Sequence, residues 1–367
     1  MFENIKVEEL IPVIENKKMA LIDVRSPSEY KNFTIPGSIN IPFFDDAERA
    51  EIGTLYKQVS VEAAKERGLE IISAKLPEFV RAFKKVEGDK VVFCWRGGMR
   101  SRTTATLLSL MNVHVHRLDE GIRAYRKWVV AELEQKETPS KGFVLNGLTG
   151  AGKTTILKAL QEEGYPVIDF EGMANHKGSI FGQIGLEPNN QKVFDSLLIH
   201  QLRKLQDFPY VLIEAESHRI GKVVIPPFLS DLKNRSIHLV IDLPMEERVK
   251  EILEDYRPSE HQEECMEAFQ RIKSRIHMPV AKQIESDLET GNFASAIQLL
   301  LEHYYDSRYK HTGLQYPDSQ KKFLVVNNIE EAIQAVKENL PAFSVGGEAE
   351  EKVSVPIVEK QKIRTNF

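Results

Sequence analysis

Short apolar runs alternate with amphipathic segments over residues 1–135. The runs that match buried strands in length and apolar content lie at 18–24, 90–95 and 113–119. Segments of helical composition lie at 47–72, 76–86, 101–112 and 121–135. Strands that alternate with helices predict a mainly parallel sheet covered on both faces, which is an α/β fold.

A polar segment, 135–142, separates this half from a second α/β pattern. Strands are expected at 143–146, 210–214 and 321–328, and a last helix near 329–338. The remainder has helical periodicity, with helices expected at 191–205, 245–256, 266–276 and 294–313. The pattern predicts one domain over 1–138 and a second over 139–342. The charged, glycine-containing segment 343–367 is expected to be a loosely ordered tail.

Length and composition support two domains and exclude a membrane-spanning helix. The chain has 367 residues, of which 42% are hydrophobic and 28% are charged. No run approaches the roughly 20 apolar residues that span a bilayer. The N-terminus lacks the apolar core of a signal peptide, and the only cysteines, Cys94 and Cys265, lie far apart. These features favour a reducing cytoplasmic location over a disulfide scaffold.

The net charge of −5 means that a nucleic-acid partner would need a local basic patch. Such a partner would bind by counterion release, with an affinity that falls steeply with salt. Candidate basic clusters are Arg117/Arg123/Arg126/Lys127, Arg203/Lys204 and Arg308/Lys310.

The segment FCWRGGMRS, 93–101, places Cys94 where a buried strand gives way to a helix. Gly97 and Gly98 allow the backbone to turn its N–H groups inward, and the following helix adds its positive end. Positive charge comes from Arg96, Arg100 and Arg102. This setting favours a reactive thiolate beside a bound anion over a purely structural cysteine. Cys265, in a polar helical segment, is expected to be incidental.

A second glycine-rich loop, GLTGAGKTT, lies between a strand and a helix at 147–155. This is the P-loop pattern in its usual setting, in which backbone N–H groups wrap a diphosphate. Lys153 would reach the terminal oxygens, and the Thr154 hydroxyl could hold Mg²⁺. The expected phosphate-binding residues of this loop are Gly147, Gly150, Gly152, Lys153, Thr154 and Thr155.

Acidic and polar residues elsewhere in the second half are candidates for substrate or Mg²⁺ contacts. Glu214 and Glu216 end an apolar strand, as an acid often does in P-loop proteins. The polar segment 169–185 contributes Glu171, His176 and Lys177, and its alternative interpretation is a flexible surface loop. Candidate nucleic-acid contacts are Tyr305, Arg308 and Lys310, although a packed helix end with a charged rim is equally compatible.

The first half resembles a rhodanese domain over about residues 5–136. The similarity lies in Asp23-Val24-Arg25 after a strand, Glu29-Tyr30, IPGSINIP, the cysteine loop and RLDEGIRAYRKW. Rhodaneses use the loop cysteine as a nucleophile that carries a chalcogen. Arg100 lies six positions after Cys94 rather than five, as in the rhodanese-fold phosphatases. The wider loop is compatible with phosphatase chemistry or with chalcogen transfer from a phosphate-bearing donor. Asp23 and Arg25 are expected to brace the loop.

The combination of this domain with a P-loop domain resembles the tRNA 2-selenouridine synthase family. Further matching segments are AERAEIGTLYK, DFEGMANHKGSIFG, IEAESHRIGKVVIP and HYYDSRY. The resemblance implies a transferase that acts on tRNA bearing 2-thiouridine at the wobble position. It implies geranylation of the sulfur by geranyl diphosphate, followed by replacement with selenium from selenophosphate.

The implied division of labour assigns the geranyl diphosphate to the P-loop and the selenophosphate to the Cys94 loop, with Cys94 accepting or relaying selenium. No tightly bound cofactor is expected, Mg²⁺ is a candidate ion, and an enzyme that supplies selenophosphate is a candidate partner. Two rival hypotheses remain. One is an ATP-dependent kinase or ATPase with a rhodanese module for sulfur transfer or sensing. The other is a non-catalytic tRNA- or protein-binding adaptor.

Overall fold

The computed structural model describes residues 2–16, 18–137, 139, 141–308 and 316–342. The tail 343–367 and Lys310 lie outside these residues. No helix in the described part of the chain is long and apolar enough to cross a membrane.

The N-terminal half forms a five-stranded parallel sheet in the order β1-β5-β4-β2-β3. Strands β1–β5 span Glu3–Ile5, Ala20–Asp23, Ile39–Asn40, Lys90–Phe93 and His116–Leu118. Helices α1–α6 span Val7–Glu15, Pro27–Asn32, Asp46–Gln58, Val61–Lys84, Met99–Leu110 and Ile122–Gln135. The predicted α/β architecture is confirmed, and β4 lies at the centre with Cys94 directly after it.

The predicted boundary between the helical segments 47–72 and 76–86 is wrong. The break falls at Val59 and Ser60, where the Ser60 hydroxyl accepts a hydrogen bond from Ala63 N at 3.0 Å and so caps α4. Helix α4 then runs through Pro77 to Lys84. A proline inside a helix costs roughly 3 kcal/mol. The burial of one face of α4, including Phe79 and Phe83, offsets this cost.

The C-terminal half forms a second five-stranded parallel sheet in the order β12-β11-β6-β8-β7. Its strands β6, β7, β8, β11 and β12 span Gly142–Gly147, Val167–Ile168, Val211–Glu214, Ile237–Asp242 and Lys321–Val325. A small hairpin is formed by β9, Arg219–Ile220, and β10, Val223–Val224. Helices α7–α15 span Lys153–Glu162, Phe170–Ala174, Gln191–Lys204, Pro227–Arg235, Met245–Tyr256, Gln262–Gln270, Met278–Thr290, Phe293–Leu300 and Ile329–Asn339.

The central strand of this second sheet, β6, leads into the P-loop. Its alternate residues point to opposite faces: Leu145 packs in a cluster with α7 and α15, and Val144 packs in another with α9 and α10. Strand β11 beside it was not expected, because IHLVID is short and interrupted by His238. His238 is fully buried, and burial lowers its pKa, so its neutral ring is accommodated in the sheet.

The predicted helix 266–276 is also misplaced. Helix α12 covers Gln262–Gln270, and only a 3-10 turn, Lys273–Arg275, follows. Ile272 and Ile276 are both buried on either side of that turn. The chain reverses there so that α13 packs against α12, and a continuous helix would not permit this.

The two halves pack through α6 and α9. The Tyr125 hydroxyl lies 2.5 Å from Ser196 Oγ and 2.8 Å from His200 Nε2. Arg126 donates to Asp195 at 2.6 Å. Ile199 of α9 is completely buried within the apolar cluster of the first half. The interface therefore fixes the two sheets relative to each other through both apolar and hydrogen-bonded contacts.

Candidate functional site

The cysteine loop connects the end of β4 to the start of α5. Cys94 is only 3% exposed, and its Sγ lies 3.2 Å from Ser101 Oγ in the first turn of α5. Trp95, Arg96, Gly98 and Met99 are exposed above the buried sulfur. The structure thus places the nucleophile candidate at the base of a loop that is open to solvent on its outer side.

Two glycines allow this loop to form. Gly97 has φ +60°, and Gly121, in the turn that precedes α6, has φ +63°. A Cβ at Gly121 would lie 2.2 Å from Cys94 O and 2.5 Å from Gly97 N. The backbones of the two turns are therefore in direct contact, and Ile122 N donates to Cys94 O at 2.9 Å.

The loop presents unpaired backbone donors. The N–H groups of residues 95–101 donate to no acceptor within the described residues, whereas Arg102 N bonds Gly98 O. Several N–H groups at a helix N-terminus, beside positive charge, form an anion-binding cradle. The structure thus supplies the donor arrangement that the glycines predicted.

The three arginines of the loop differ in their environments. The Arg100 guanidinium is 15% exposed and donates to Glu29 through Nη1 at 2.5 Å and through Nη2 at 3.2 Å. Burial opposes ionisation of Glu29, but the hydrogen bond and charge of Arg100 outweigh it and lower the pKa of Glu29. The Arg96 and Arg102 side chains are exposed and make no ion pair among the described residues. Glu29 thus holds the Arg100 guanidinium in place, and an anion in the cradle would share this guanidinium with Glu29.

Asp23 and Arg25 are buried and paired at 2.6 Å. Arg25 also donates to Phe33 O, and the Thr34 hydroxyl donates to Asp23 at 2.9 Å. These bonds hold the connection between β2 and β3. The pair therefore braces the neighbouring segment, and the link from that segment to the cysteine loop is the bond between Glu29 and Arg100.

A groove beside the cysteine loop carries positive charge. Its volume is about 520 Å³, and we call it the basic groove because it is lined by five basic side chains, those of Arg96, Arg123, Arg126, Lys127 and Lys192. Arg126 is paired with Asp195 and Lys127 with Glu120, so part of the predicted cluster is neutralised. Likewise, Arg203 pairs with Glu15 and Glu132, and Arg117 donates to Gly97 O.

The second loop has the geometry of a P-loop. Gly150 has φ +80° and Gly152 has φ +69°. A Cβ at Gly152 would lie 2.1 Å from Ile329, so both the conformation and the packing require glycine there. Lys153 Nζ lies 3.4 Å from Gly147 O, and Thr155 Oγ1 donates to Glu251 at 3.0 Å. A cavity of about 210 Å³ is lined by Gly150, Gly152, Lys153, Thr155 and Glu251 of this group.

Three carboxylates meet beside this loop. Glu171, Glu214 and Glu216 each offer an oxygen, and these oxygens lie within 4.8 Å of one another. Thr154 Oγ1 donates to Glu171 Oε2 at 3.0 Å, and Glu171 N donates to Glu214 Oε1 at 2.8 Å. Glu214 is completely buried, and its Oε2 has no hydrogen-bond partner among the residues that the structure describes. We call these three residues the carboxylate cluster.

Burial and mutual repulsion disfavour the ionised form of two residues in the carboxylate cluster. Burial, reinforced by the neighbouring charge of Glu216, raises the pKa of Glu171 to about 8, although Lys153 and Thr154 oppose this. Burial and the other carboxylates also raise the pKa of Glu214 well above its usual value. Hard oxygen donors that repel one another are suited to a divalent cation such as Mg²⁺.

The segment 169–185 contains α8 and a series of turns. Lys177 faces the P-loop cavity, with Nζ 2.9 Å from Asp255 and 4.3 Å from the Tyr256 ring centroid. His176 does not line that cavity; its ring packs against Gly182 and Gly221, and its Nδ1 accepts from Gly178 N at 3.1 Å. Burial lowers the pKa of His176. The two neighbouring candidates therefore have different environments.

Tyr305 also faces the P-loop cavity. Arg308 stacks over the Tyr304 ring at 4.3 Å, and Tyr304 is buried. The expected group of tRNA contacts is therefore divided, with Tyr305 at the cavity and Arg308 exposed at the protein surface. Sequence reasoning did not identify Glu251, Asp255 and Tyr256 of α11 as cavity residues, because α11 reads as an ordinary amphipathic helix.

Two family models match the chain. One, described as "tRNA 2-selenouridine synthase AAA domain", covers residues 140–342, and a "Rhodanese-like domain" covers 6–127. Curated proteins called tRNA 2-selenouridine synthase are similar over most of their length. That of Bdellovibrio bacteriovorus is 29% identical over 352 residues, covering 84% of this chain and 92% of its own. That of Shewanella woodyi is 30% identical over 343 residues, covering 83% and 90%.

Among solved structures, the N-terminal domain of a putative ATP/GTP binding protein from Clostridium difficile 630 is similar to part of this chain. It is 34% identical, with a TM-score of 0.33, covering 35% of this chain and 99% of that one.

Proposed function

Since this chain belongs to the tRNA 2-selenouridine synthase family, we propose that it replaces the sulfur of wobble 2-thiouridine in tRNA by selenium. The reaction has two steps, geranylation of the sulfur and its exchange for selenium. The observation that carries the proposal is the presence of two anion-binding loops on one chain. One loop is a P-loop beside a carboxylate cluster, and the other has free N–H donors around Cys94.

In the first step, the thiouridine sulfur attacks the first carbon of geranyl diphosphate. A sulfur–carbon bond forms and the carbon–oxygen bond breaks, so its electron pair leaves with the diphosphate. The P-loop N–H groups and the Lys153 ammonium are positioned to stabilise this negative charge as it develops. No nucleotide hydrolysis is required.

The residues present fit Mg²⁺. Glu171, Glu214, Glu216 and the Thr154 hydroxyl would hold it, and the unpartnered Glu214 Oε2 supplies a buried oxygen for this purpose. When bound, the ion supplies positive charge for the diphosphate. Thr154 would then release its hydrogen bond to Glu171.

In the second step, the selenium of selenophosphate attacks C2 of the geranylated base, and geranylthiolate leaves and takes up a proton. The phosphorus–selenium bond must then break. We propose that Cys94 attacks phosphorus, so that a sulfur–phosphorus bond forms and the electron pair remains on the selenium of the base. Water then hydrolyses the phosphocysteine to phosphate and restores the thiol.

Electron balance favours this role of Cys94 over a perselenide. Transfer of selenium itself from selenophosphate to the thiolate would oxidise selenium and reduce phosphorus, and none of the proposed substrates compensates for this. Attack at phosphorus is redox-neutral and suits the longer loop. The N–H donors of residues 95–101 would hold the phosphoryl oxygens above Cys94.

The experiment is mass spectrometry of digested tRNA after incubation of the full chain with thiolated tRNA, geranyl diphosphate and selenophosphate. We expect S-geranyl-thiouridine without selenophosphate and selenouridine with it. Selenouridine that forms equally well without geranyl diphosphate would contradict the two-step order. ATP turnover with neither product would instead favour the rival kinase or ATPase.

A further inference from the structure

A second cavity adjoins the P-loop cavity. The two share Thr149, Ser179, Ile252, Tyr256 and Tyr305 as lining residues. The second cavity then extends between α12, α13 and α14, away from the charged loop. The volume of the second cavity is about 60 Å³, so a hydrocarbon chain whose head lies on the P-loop would enter it by displacing the apolar side chains that line it.

The far walls of this second cavity are apolar. They include Phe181, Ile184, Leu288, Phe293, Ile297 and Leu300. Cys265 also lines it, and burial raises the pKa of its thiol to about 11, so the side chain is an uncharged, small apolar surface at neutral pH.

Polar atoms in the second cavity lie on the side shared with the P-loop. The Tyr256 hydroxyl lies 3.2 Å from Ser179 Oγ, and the Lys177 ammonium is held over the Tyr256 ring. Charge is thus concentrated at one end of the combined space and carbon at the other. A nucleotide would place a polar base and ribose against walls that offer few partners.

We propose that the second cavity binds the hydrocarbon chain of an allylic diphosphate and selects its length. This inference rests on the proposed function, because it assumes that the P-loop takes the diphosphate. Leu288 and Cys265, 3% and 5% exposed, line the second cavity but not the P-loop cavity. Cys265, which the sequence marked as incidental, becomes a residue that determines specificity.

The test measures how tightly four ligands bind to the full chain in a buffer that contains Mg²⁺. The ligands are inorganic, dimethylallyl, geranyl and farnesyl diphosphate. Burial of the five carbons that distinguish geranyl from dimethylallyl should tighten binding by at least about tenfold. If inorganic diphosphate binds but the chain adds nothing, the apolar site is refuted while the P-loop assignment stands. If none of the diphosphates binds, both are refuted. Tighter binding of ATP than of geranyl diphosphate would overturn the proposed occupant.

Variants test the cavity itself. Cys265→Phe fills the wall and should remove roughly tenfold of the preference for geranyl over dimethylallyl, with the affinity for inorganic diphosphate unchanged. Leu288→Ala enlarges the space and should shift preference towards farnesyl, which keeps the test decisive if the Phe variant does not fold. Ile284→Ala is the matched control, since Ile284 is one turn away on α13 and buried in the same cluster but does not line the cavity. Equal chain-length selectivity in Leu288→Ala and Ile284→Ala would overturn the proposal.

Discussion

The carboxylate cluster predicts that Mg²⁺ stabilises the protein more at high pH than at low pH. The pKa of Glu171 is raised from 4.5 to about 8 by burial and by Glu216. At about 1.4 kcal/mol per pKa unit, ionising Glu171 in the folded protein costs about 5 kcal/mol more than in the unfolded chain. The sign follows from linkage. The folded state holds the proton more tightly, so stability is fully present below about pH 4.5 and is lost as pH rises through about 8.

A divalent cation relieves this loss by replacing the proton. Between about pH 6 and pH 8, the loss of stability caused by Glu171 grows by about 2 kcal/mol. Partial relief of this cost corresponds to a melting-temperature shift that is larger at the higher pH by the order of 5 °C. The assay is thermal unfolding with and without millimolar Mg²⁺ at both pH values, monitored by fluorescence.

Matched variants identify the source of the shift. Glu171→Gln should be more stable than the wild type at high pH without Mg²⁺ and should lose most of the Mg²⁺ shift. Glu251→Gln is the control, because Glu251 bonds Thr155 in the same cavity but lies outside the carboxylate cluster. A Mg²⁺ shift that is equal at both pH values, or that survives Glu171→Gln unchanged, would refute the electrostatic account.

Three further predictions concern the fold, the interface and the basic groove. Gly121→Ala should destabilise the protein by more than about 3 kcal/mol in chemical denaturation, because its Cβ would lie 2.2 Å from Cys94 O. Gly37→Ala, at φ +79° with open space around the new Cβ, should cost only about 1–2 kcal/mol. Equal costs for the two variants would contradict the close approach of the two turns. Burial lowers the pKa of His200 to about 4, so the interface should lose about 2 kcal/mol as pH falls from about 6.5 to about 4. Urea titrations should show this loss in the wild type and not in His200→Gln, and an identical pH profile in both would argue against it. Arg123→Ala should lower the slope of log affinity for tRNA against log salt concentration by about 1. Arg67→Ala should leave this slope unchanged, because Arg67 pairs with Glu51 and Glu70 outside the groove. Equal slopes for the two variants would show that the groove does not contact tRNA.

The sequence predicted the elements whose signals are local. The P-loop and the cysteine loop combine glycines at fixed spacing with a preceding apolar strand, and both lie where expected. The break at Ser60 was missed because a proline at Pro77 is a stronger boundary signal than a capping serine. The helix continues through Pro77 because the packing of one face of α4 against the core outweighs the cost of the proline.

The features that sequence reasoning missed depend on tertiary contacts. The pairing of Arg100 with Glu29 joins residues that are far apart in the chain, so the sequence marked Arg100 as a cation of the cysteine loop without indicating its carboxylate partner. The sequence was also compatible with two environments for Glu171, a substrate contact or a flexible surface loop. The fold places its carboxylate beside those of Glu214 and Glu216. The apolar cavity is assembled from helices whose individual periodicity indicates only a core.

The central claim is that two loops perform two separable steps, and one measurement tests it most directly. Purified Cys94→Ser and Lys153→Ala proteins are each given thiolated tRNA with both donors, and each is also given previously geranylated tRNA with selenophosphate. The products are quantified by mass spectrometry of nucleosides. Cys94→Ser should still geranylate thiouridine but should form no selenouridine, and the base that carries uncleaved selenophosphate should accumulate, because serine ionises far less readily than cysteine and so does not take the phosphoryl group. Lys153→Ala should fail to geranylate but should still convert geranylated tRNA to selenouridine. If folded Cys94→Ser also fails to geranylate, or Lys153→Ala fails with geranylated tRNA, the two steps share one site and the account is wrong.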